Sequence, residues 1–165
     1  GEAMAWTQPF FSEATPVTAV RQVPGLKGWR ASAGVVAAEL RGATPAAADK
    51  LSFSVVAPSL PLPGFTDLRE AIAGNDCVVY AKASANAAAA GEGVLRLGYD
   101  GPIRVWLNGQ EVFHGPGTNP AEPDRVRLYV ALQGGKNEVL VALQSNGGKA
   151  WGFWCSLEQN GKVLE

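Results

Sequence analysis

The side chains of this chain best equipped for chemistry on a polar ligand are scattered singly from position 76 onward: Asp76, Asp100, His114, Asn119, Asp124, Asn146, Lys149 and Trp151. No short catalytic motif joins them, since the sequence contains no Gly-x-Ser-x-Gly, no His-Glu-x-x-His and no phosphate loop. Together they offer carboxylate and amide acceptors, amide and ammonium donors, and an indole face. That mixture suits a polyhydroxylated ligand, whose hydroxyls need paired donors and acceptors and whose C–H face stacks on an aromatic ring. The same residues also read as ordinary polar loop positions, which most folds have. Hydrolysis between two carboxyls would draw on Asp100, Glu122 and Asp124, but no spacing fixes a pair of them across a cleft. With one histidine and no Cys-x-x-Cys, an ordinary zinc site cannot be assembled. Asp76, Asp100 and Asp124 are the candidates for a structural calcium ion, and no other cofactor is expected.

Strands must bring these residues together. Runs with period-two alternation between turn signals predict strands over 77–84, 93–99, 103–114, 126–132, 138–144 and 150–158. The third is a hairpin centred on Asn108-Gly109, the dipeptide that most readily takes the two positive φ angles of a type I′ turn. A two-residue turn there sets Leu107 opposite Gln110, Trp106 opposite Glu111, Val105 opposite Val112, Arg104 opposite Phe113 and Ile103 opposite His114. Ile103, Val105, Leu107 and Val112 then share an apolar face, whereas Arg104, Trp106, Glu111 and Phe113 share a mixed one. Alternation turns Leu95, Leu97, Val126, Leu128, Val130, Leu132, Val139, Val141, Leu143, Trp151, Phe153, Cys155 and Leu157 inward. Two packed antiparallel sheets are the ordinary way to bury such faces, so the fold predicted is an all-β sandwich of jelly-roll type.

Strand parity also sorts the loops. With consecutive strands alternating in direction, Asn108-Gly109 and Gly134-Gly135 lie at one end, and Asp76, 100–102, 114–125 and 145–150 gather at the other. The second end collects the expected ligand-binding set: Asp100, His114, Asn119, Asn146, Lys149 and Trp151, although Trp151 also reads as a core residue. The alternative is the mixed sheet face with Arg104, Trp106, Glu111 and, on the last strand, Trp154. There Trp106 is either an exposed stacking platform or, as the favoured expectation, covered by the aromatic N-terminal segment with Arg104 over a ring. His114, a lone histidine at a strand end, reads equally as a simple hydrogen-bonding residue.

The first fifty residues are less regular. Trp6, Phe10, Phe11 and Trp29 stand among Pro, Gly, Thr and Ser, as in an extended segment pinned to a body by aromatic anchors. Residues 31–40 fit a helix or a strand, and Ala46 to Ala48 fit a loop opened by Pro45. A strand follows over 51–56, then a proline-rich connection, then a short helix over 67–74 capped by Thr66 or Asp67. One domain over 1–165 is expected, with 1–50 its irregular part and 51–165 the sandwich body, at a length that buries roughly 70% of the unfolded surface. The chain is expected to be a monomer. Its net charge is −1, with Lys and Arg dispersed, which argues against nucleic acid and anionic membranes as partners. No apolar run reaches the length of a membrane span, and the start lacks the pattern of a signal peptide, as in an excised or mature piece. Cys77 and Cys155 are either a bridge between neighbouring strands or two buried thiols.

Three stretches carry a family resemblance: Tyr99-Asp-Gly-x-x-Arg-Val-Trp-Leu-Asn-Gly-Gln-Glu-Val112, Leu132-Gln-Gly-Gly-Lys-Asn-Glu-Val-Leu-Val141 and Trp151-Gly-Phe153. This half of the chain resembles the galactose-binding-domain-like jelly rolls of secreted carbohydrate-active proteins. It is similar both to carbohydrate-binding modules and to the sugar-binding sandwich of family-two glycoside hydrolases. The resemblance implies a secreted or periplasmic, non-catalytic module of a larger multidomain enzyme, recognising a polysaccharide or oligosaccharide. The alternative it implies is an accessory sandwich with no ligand of its own, and a small glycoside hydrolase or lyase ranks third. Related sequences often place a second acidic residue after the Asp-Gly pair. Here Pro102 and Ile103 follow, which counts against calcium at that point.

Overall fold

The computed structural model describes residues 25–59, 61–117 and 120–165. Short strands come first: β1 (Arg30–Ala31), β2 (Val35–Val36), β3 (Ser54–Val55) and β4 (Phe65–Asp67). The long ones follow: β5 (Cys77–Ala87), β6 (Gly91–Tyr99), β7 (Ile103–Leu107), β8 (Gln110–Gly115), β9 (Val126–Leu132), β10 (Gly135–Gln144) and β11 (Gly152–Gln159), before a short β12 (Lys162–Val163). One sheet runs β3-β1-β5-β10-β7-β8, with β2 also on β5; the other runs β12-β11-β6-β9, with β4 also on β11. All pairings are antiparallel.

The alternation read from the sequence explains the core. Val79, Ala81, Ile103, Val105, Leu107, Val139, Val141 and Leu143 of one sheet meet Leu95, Leu97, Val130, Leu132, Phe153, Cys155 and Leu157 of the other in one buried cluster. Trp29 closes it, edge-on to Phe153 with centroids 4.8 Å apart, as an aromatic anchor should. Trp6, Phe10 and Phe11 lie outside the described residues.

The hairpin forms with Asn108 at φ 51° and Gly109 at φ 83°, as a type I′ turn requires. Its asparagine does more than turn. Asn108 Oδ1 accepts from the Glu138 amide and Nδ2 donates to Asn137 Oδ1, both at 2.9 Å. Fully buried Asn137 also accepts from the Gln133 amide at 2.9 Å and donates to the Gln133 and Gly135 carbonyls at 2.9 and 3.0 Å. The two asparagines of the repeated Asn-Gly and Gly-x-Asn signatures therefore lock two turns to each other. Beyond Trp106 opposite Glu111 the expected register fails: Val105 pairs with Phe113, not Val112, and Arg104 with His114. A β-bulge absorbs Val112, and the added residue turns Phe113 inward, where it meets Tyr99 with centroids 5.9 Å apart.

Residues 35–53 cover the outer face of the larger sheet. Ala43 and Ala48, with Leu40, Leu51 and Phe53, pack over Val78, Tyr80, Trp106 and Ala142. Trp106 is thus covered, as favoured, but by this segment. Residues 31–40 form neither a full helix nor a full strand, only β1, β2 and the start of a one-turn 3-10 helix at Leu40–Gly42. Ala46–Ala48 lie in a helix, α1 (Pro45–Asp49), not a loop: Pro45 starts it and Thr44 Oγ1 accepts from the Ala47 amide at 3.0 Å. The strand expected over 51–56 shrinks to β3. The helix expected over 67–74 shrinks to α2 (Arg69–Ile72), ended by Ala73 at φ 52°. Cys77 and Cys155 lie on strands of opposite sheets and are free, buried thiols. Burial pushes the Cys155 thiol up to about 12.

Candidate functional site

The site begins with Asp100, at the end of β6. Only 8% exposed, it accepts from the Trp151 amide at 2.7 Å and from the Gly152 amide at 3.2 Å, one with each carboxylate oxygen. Burial raises its pKa, amide hydrogen bonds partly offset this, and the charge of nearby Asp67 adds to the rise. Asp100 is therefore a fixture that holds the start of β11. Gly152, at φ 150°, sits so close to β4 that a Cβ would collide with the Thr66 carbonyl oxygen. Trp151 is thereby held just outside the sheet, and the expectation that it packs in the core fails. Alternation governs residues inside a strand, and Trp151 precedes β11.

Its indole is 45% exposed, with the Arg69 guanidinium stacked 3.9 Å from the ring centroid. Arg69 is itself clamped. Nη2 lies 2.6 Å from Asp67 Oδ2, and Nε lies 3.1 and 3.2 Å from the two Asp67 oxygens. Asp67 Oδ1 also accepts from the Arg69 amide at 3.0 Å, so one carboxylate holds both the first amide of α2 and its first side chain; the N-cap position itself is Leu68, not Thr66 or Asp67 as expected. Burial pushes the Asp67 pKa up, but the hydrogen bonds and charge of Arg69 outweigh it and hold the carboxyl below the ordinary value of 3.8. Arg69, Asp67 and Glu70 line an open cleft of about 650 Å³ together with Ser54, Val55, Val56 and Pro58. Its size lies within the roughly 300–1,000 Å³ of small-ligand sites. Arg69 belongs to both the cleft wall and the indole stack.

No protein-family model matches the chain, and no curated protein matches it. Among solved structures it is similar to the selenomethionine-labelled β-glucosidase from Kluyveromyces marxianus: 13% identity, 80% of this chain and 16% of the enzyme covered, TM-score 0.50. It is also similar to the PA14 domain of the MpAFP antifreeze protein, at 12% identity, with 92% and 90% covered and TM-score 0.48. A third likeness is to the PA14 sugar-binding domain from an RTX adhesin, at 24% identity, with 55% and 51% covered and TM-score 0.38. At 13% identity the likeness to the β-glucosidase is one of fold. The chain spans about a sixth of the β-glucosidase.

The remaining sequence candidates divide. Asn146 and Lys149 are exposed on the turn that leads into Trp151. Buried Ser145 secures that turn, donating to the Asn75 carbonyl at 2.7 Å and accepting from the Cys77 and Gly148 amides at 3.0 Å. Asn119 lies outside the described residues. His114 is in a separate shallow hollow with Leu40, Arg41, Arg104 and Glu111, its side chain 80% exposed and Nδ1 3.9 Å from Glu111 Oε2.

Arg104 is fully engaged there. It bonds both Glu111 oxygens at 2.9 Å and the carbonyls of Leu40, Arg41 and Ala43 at 3.4, 3.1 and 2.8 Å, with its guanidinium 5.0 Å from the Trp106 centroid. The alternative face is therefore closed. Trp154, the other suggested platform, is also no platform: it is 9% exposed and meets Phe65 of β4 edge-on at 4.6 Å. Asp76 is exposed, Asp124 pairs with Arg96 at 3.2 Å and Glu122 with Arg125 at 3.0 Å. Among the described residues no group of three or more His, Cys, Asp or Glu could hold a metal.

Sequence reasoning missed Asp67, Arg69 and Glu70. They had been read only as a helix start, and the clue was the Asp-x-Arg spacing. An Asp side chain bonds readily to the backbone amide two residues on, which brings that residue's own side chain within reach of its oxygens.

Proposed function

We propose that this sandwich binds a glycan without transforming it, with the sugar lying along the cleft wall and against the rim formed by Trp151 and Arg69. The observation that carries the reading is the half-exposed Trp151 indole, fixed at its backbone by buried Asp100 and braced by Arg69. A rigid aromatic surface joined through Arg69 to a cleft of mixed polar and apolar lining suits a ring that is apolar on its face and hydroxylated at its rim. Asn146 and Lys149 flank it on the preceding turn and supply further donors and acceptors, whereas Asp100 acts through the backbone it holds. The family resemblance read from the sequence supports the same ligand class.

The non-catalytic reading is supported by the state of the carboxylates. A general acid for glycoside cleavage needs a raised pKa and access to the leaving oxygen. Asp67 lines the cleft but is held low by Arg69, and Asp100 is raised but buried against amides. We further propose that the domain serves a larger, exported glycan-active protein. The free thiols, on opposite sheets, add nothing in favour of export.

Affinity electrophoresis against soluble plant, algal and microbial polysaccharides tests the reading. One stack and a few hydrogen bonds of about 1 kcal/mol each give a Kd in the micromolar to millimolar range. Trp151→Ala should abolish retardation while its melting temperature stays within about 4 °C of wild type, the shift expected for roughly 1 kcal/mol. If no polysaccharide retards the domain, or if the variant is retarded like wild type, the reading is overturned; the first result favours the accessory sandwich.

A further inference from the structure

We propose that Asp67 makes this cleft a filter against anionic glycans, so that its ligands are neutral sugars; the inference rests on the glycan-binding reading above. Among the described residues the charged groups of the cleft lining are Asp67, Glu70 and Arg69, which leaves one net negative charge. The cation among them, Arg69, is already paired with Asp67. Asp67 occupies the Nε–Nη2 edge of the guanidinium with contacts of 2.6 to 3.2 Å, which is one of the two edges a uronate carboxylate or sulfate ester would use for a bidentate grip, and its charge balances that of Arg69. What remains open on Arg69 is the end-on edge, Nη1 and the outer N–H of Nη2, since one face of the guanidinium lies over Trp151. These can donate to hydroxyl oxygens.

An acidic sugar would have to displace Asp67 from Arg69 or sit beside Asp67 and Glu70, and both routes meet like-charge repulsion. Lys149 does not line the cleft and so does not reverse its charge. Asp67 has a second effect. By holding the Arg69 guanidinium over Trp151, the residue that excludes acids is also a positioning residue for the aromatic rim.

The measurement is the affinity ratio between a neutral polymer, hydroxyethylcellulose or galactomannan, and polygalacturonate, for wild type, Asp67→Asn and Asp67→Glu. Wild type is expected to bind the neutral polymer and not polygalacturonate. Asp67→Asn, which frees the Arg69 charge, should shift the ratio toward polygalacturonate by up to about fivefold, the scale of one exposed ion pair. The gain should vanish as salt is raised. Asp67→Glu should restore the wild-type ratio, which a merely structural role would not require. Wild type binding polygalacturonate as well as the neutral polymer overturns the filter and leaves the glycan reading standing, as does an unchanged ratio in Asp67→Asn. Binding of neither polymer or any other polysaccharide overturns both.

Discussion

Replacing Asp100 tests whether one buried carboxylate sets the position of Trp151. In Asp100→Ala the amides of Trp151 and Gly152 lose acceptors at 2.7 and 3.2 Å, in a place where Asp100 itself is 8% exposed. Each amide left unpaired in a buried setting costs about 1–3 kcal/mol. Against that, removing the carboxylate relieves the desolvation that raises its pKa. The net expectation is therefore toward the lower end, about 2–4 kcal/mol, or about 4–16 °C in melting temperature for a chain of this size. Asp100→Asn keeps one carbonyl acceptor but turns an NH₂ group toward the second amide, and should lose about 1–2 kcal/mol. Urea denaturation followed by tryptophan fluorescence gives both values, with an unchanged m-value showing that the denatured state is not responsible. Glycan affinity measured on the folded Asn variant should fall as well. A loss below about 0.5 kcal/mol for the Ala variant, within the range of ordinary surface changes, would mean that Trp151 is placed by something other than Asp100.

Arg104→Met removes the donor to three backbone carbonyls of the covering segment and should destabilise by about 2–4 kcal/mol. A red shift of tryptophan emission would report Trp106 becoming wet; a blue-edge spectrum identical to wild type would show that the cover stays without its latch. The two cysteines should react with a thiol reagent only after denaturation, without reductant, and reductant should not change the melting temperature. Fewer than two thiols under those conditions would contradict the free, buried pair. For pH, Asp67 has its folded value below 3.8, so its contribution is fully present above that ordinary value and is lost as pH falls through the depressed one. The stability difference between wild type and Asp67→Asn should accordingly be present at pH 7 and shrink below pH 3.8; a difference that grows on acidification would refute the sign.

What the sequence made legible follows the range over which each signal acts. The Asn-Gly turn and the inward sets of β6, β7, β9 and β10 are properties of neighbours in the chain, and they were readable. The bulge at Val112 was not, because it is decided by the fit of Phe113 against Tyr99, a contact between strands. The exchange of roles between Trp151 and Trp154 has a similar cause. Period two says that they point in opposite directions, but not that Phe65 of β4 covers one face of β11. Within the site, Asp100 and Trp151 were singled out by type, yet the carboxylate proved to serve the backbone of the other. Arg69 was invisible because its meaning comes from a ring far away in sequence. The residue before a strand, and the first residue of a short helix, are where alternation stops giving guidance.

The longest pairing in the molecule joins all ten residues of β10 to β5, and it imposes an order on biosynthesis. β5 leaves the ribosome first and has no partner of that length until residue 144 has been made. At ordinary elongation rates the wait is roughly 3–11 s. Throughout it β5 presents a naked strand edge, the situation in which chains find one another instead of themselves. The later part of β5 is suited to waiting. Its inward positions are Ala81, Ala83, Ala85 and Ala87, alternating with Lys82, Ser84 and Asn86, where larger β-branched residues would make a sticky segment. The thin, alanine-lined stretch at the centre of the larger sheet thus gives up some packing in the finished protein and lowers the hazard of the unfinished one.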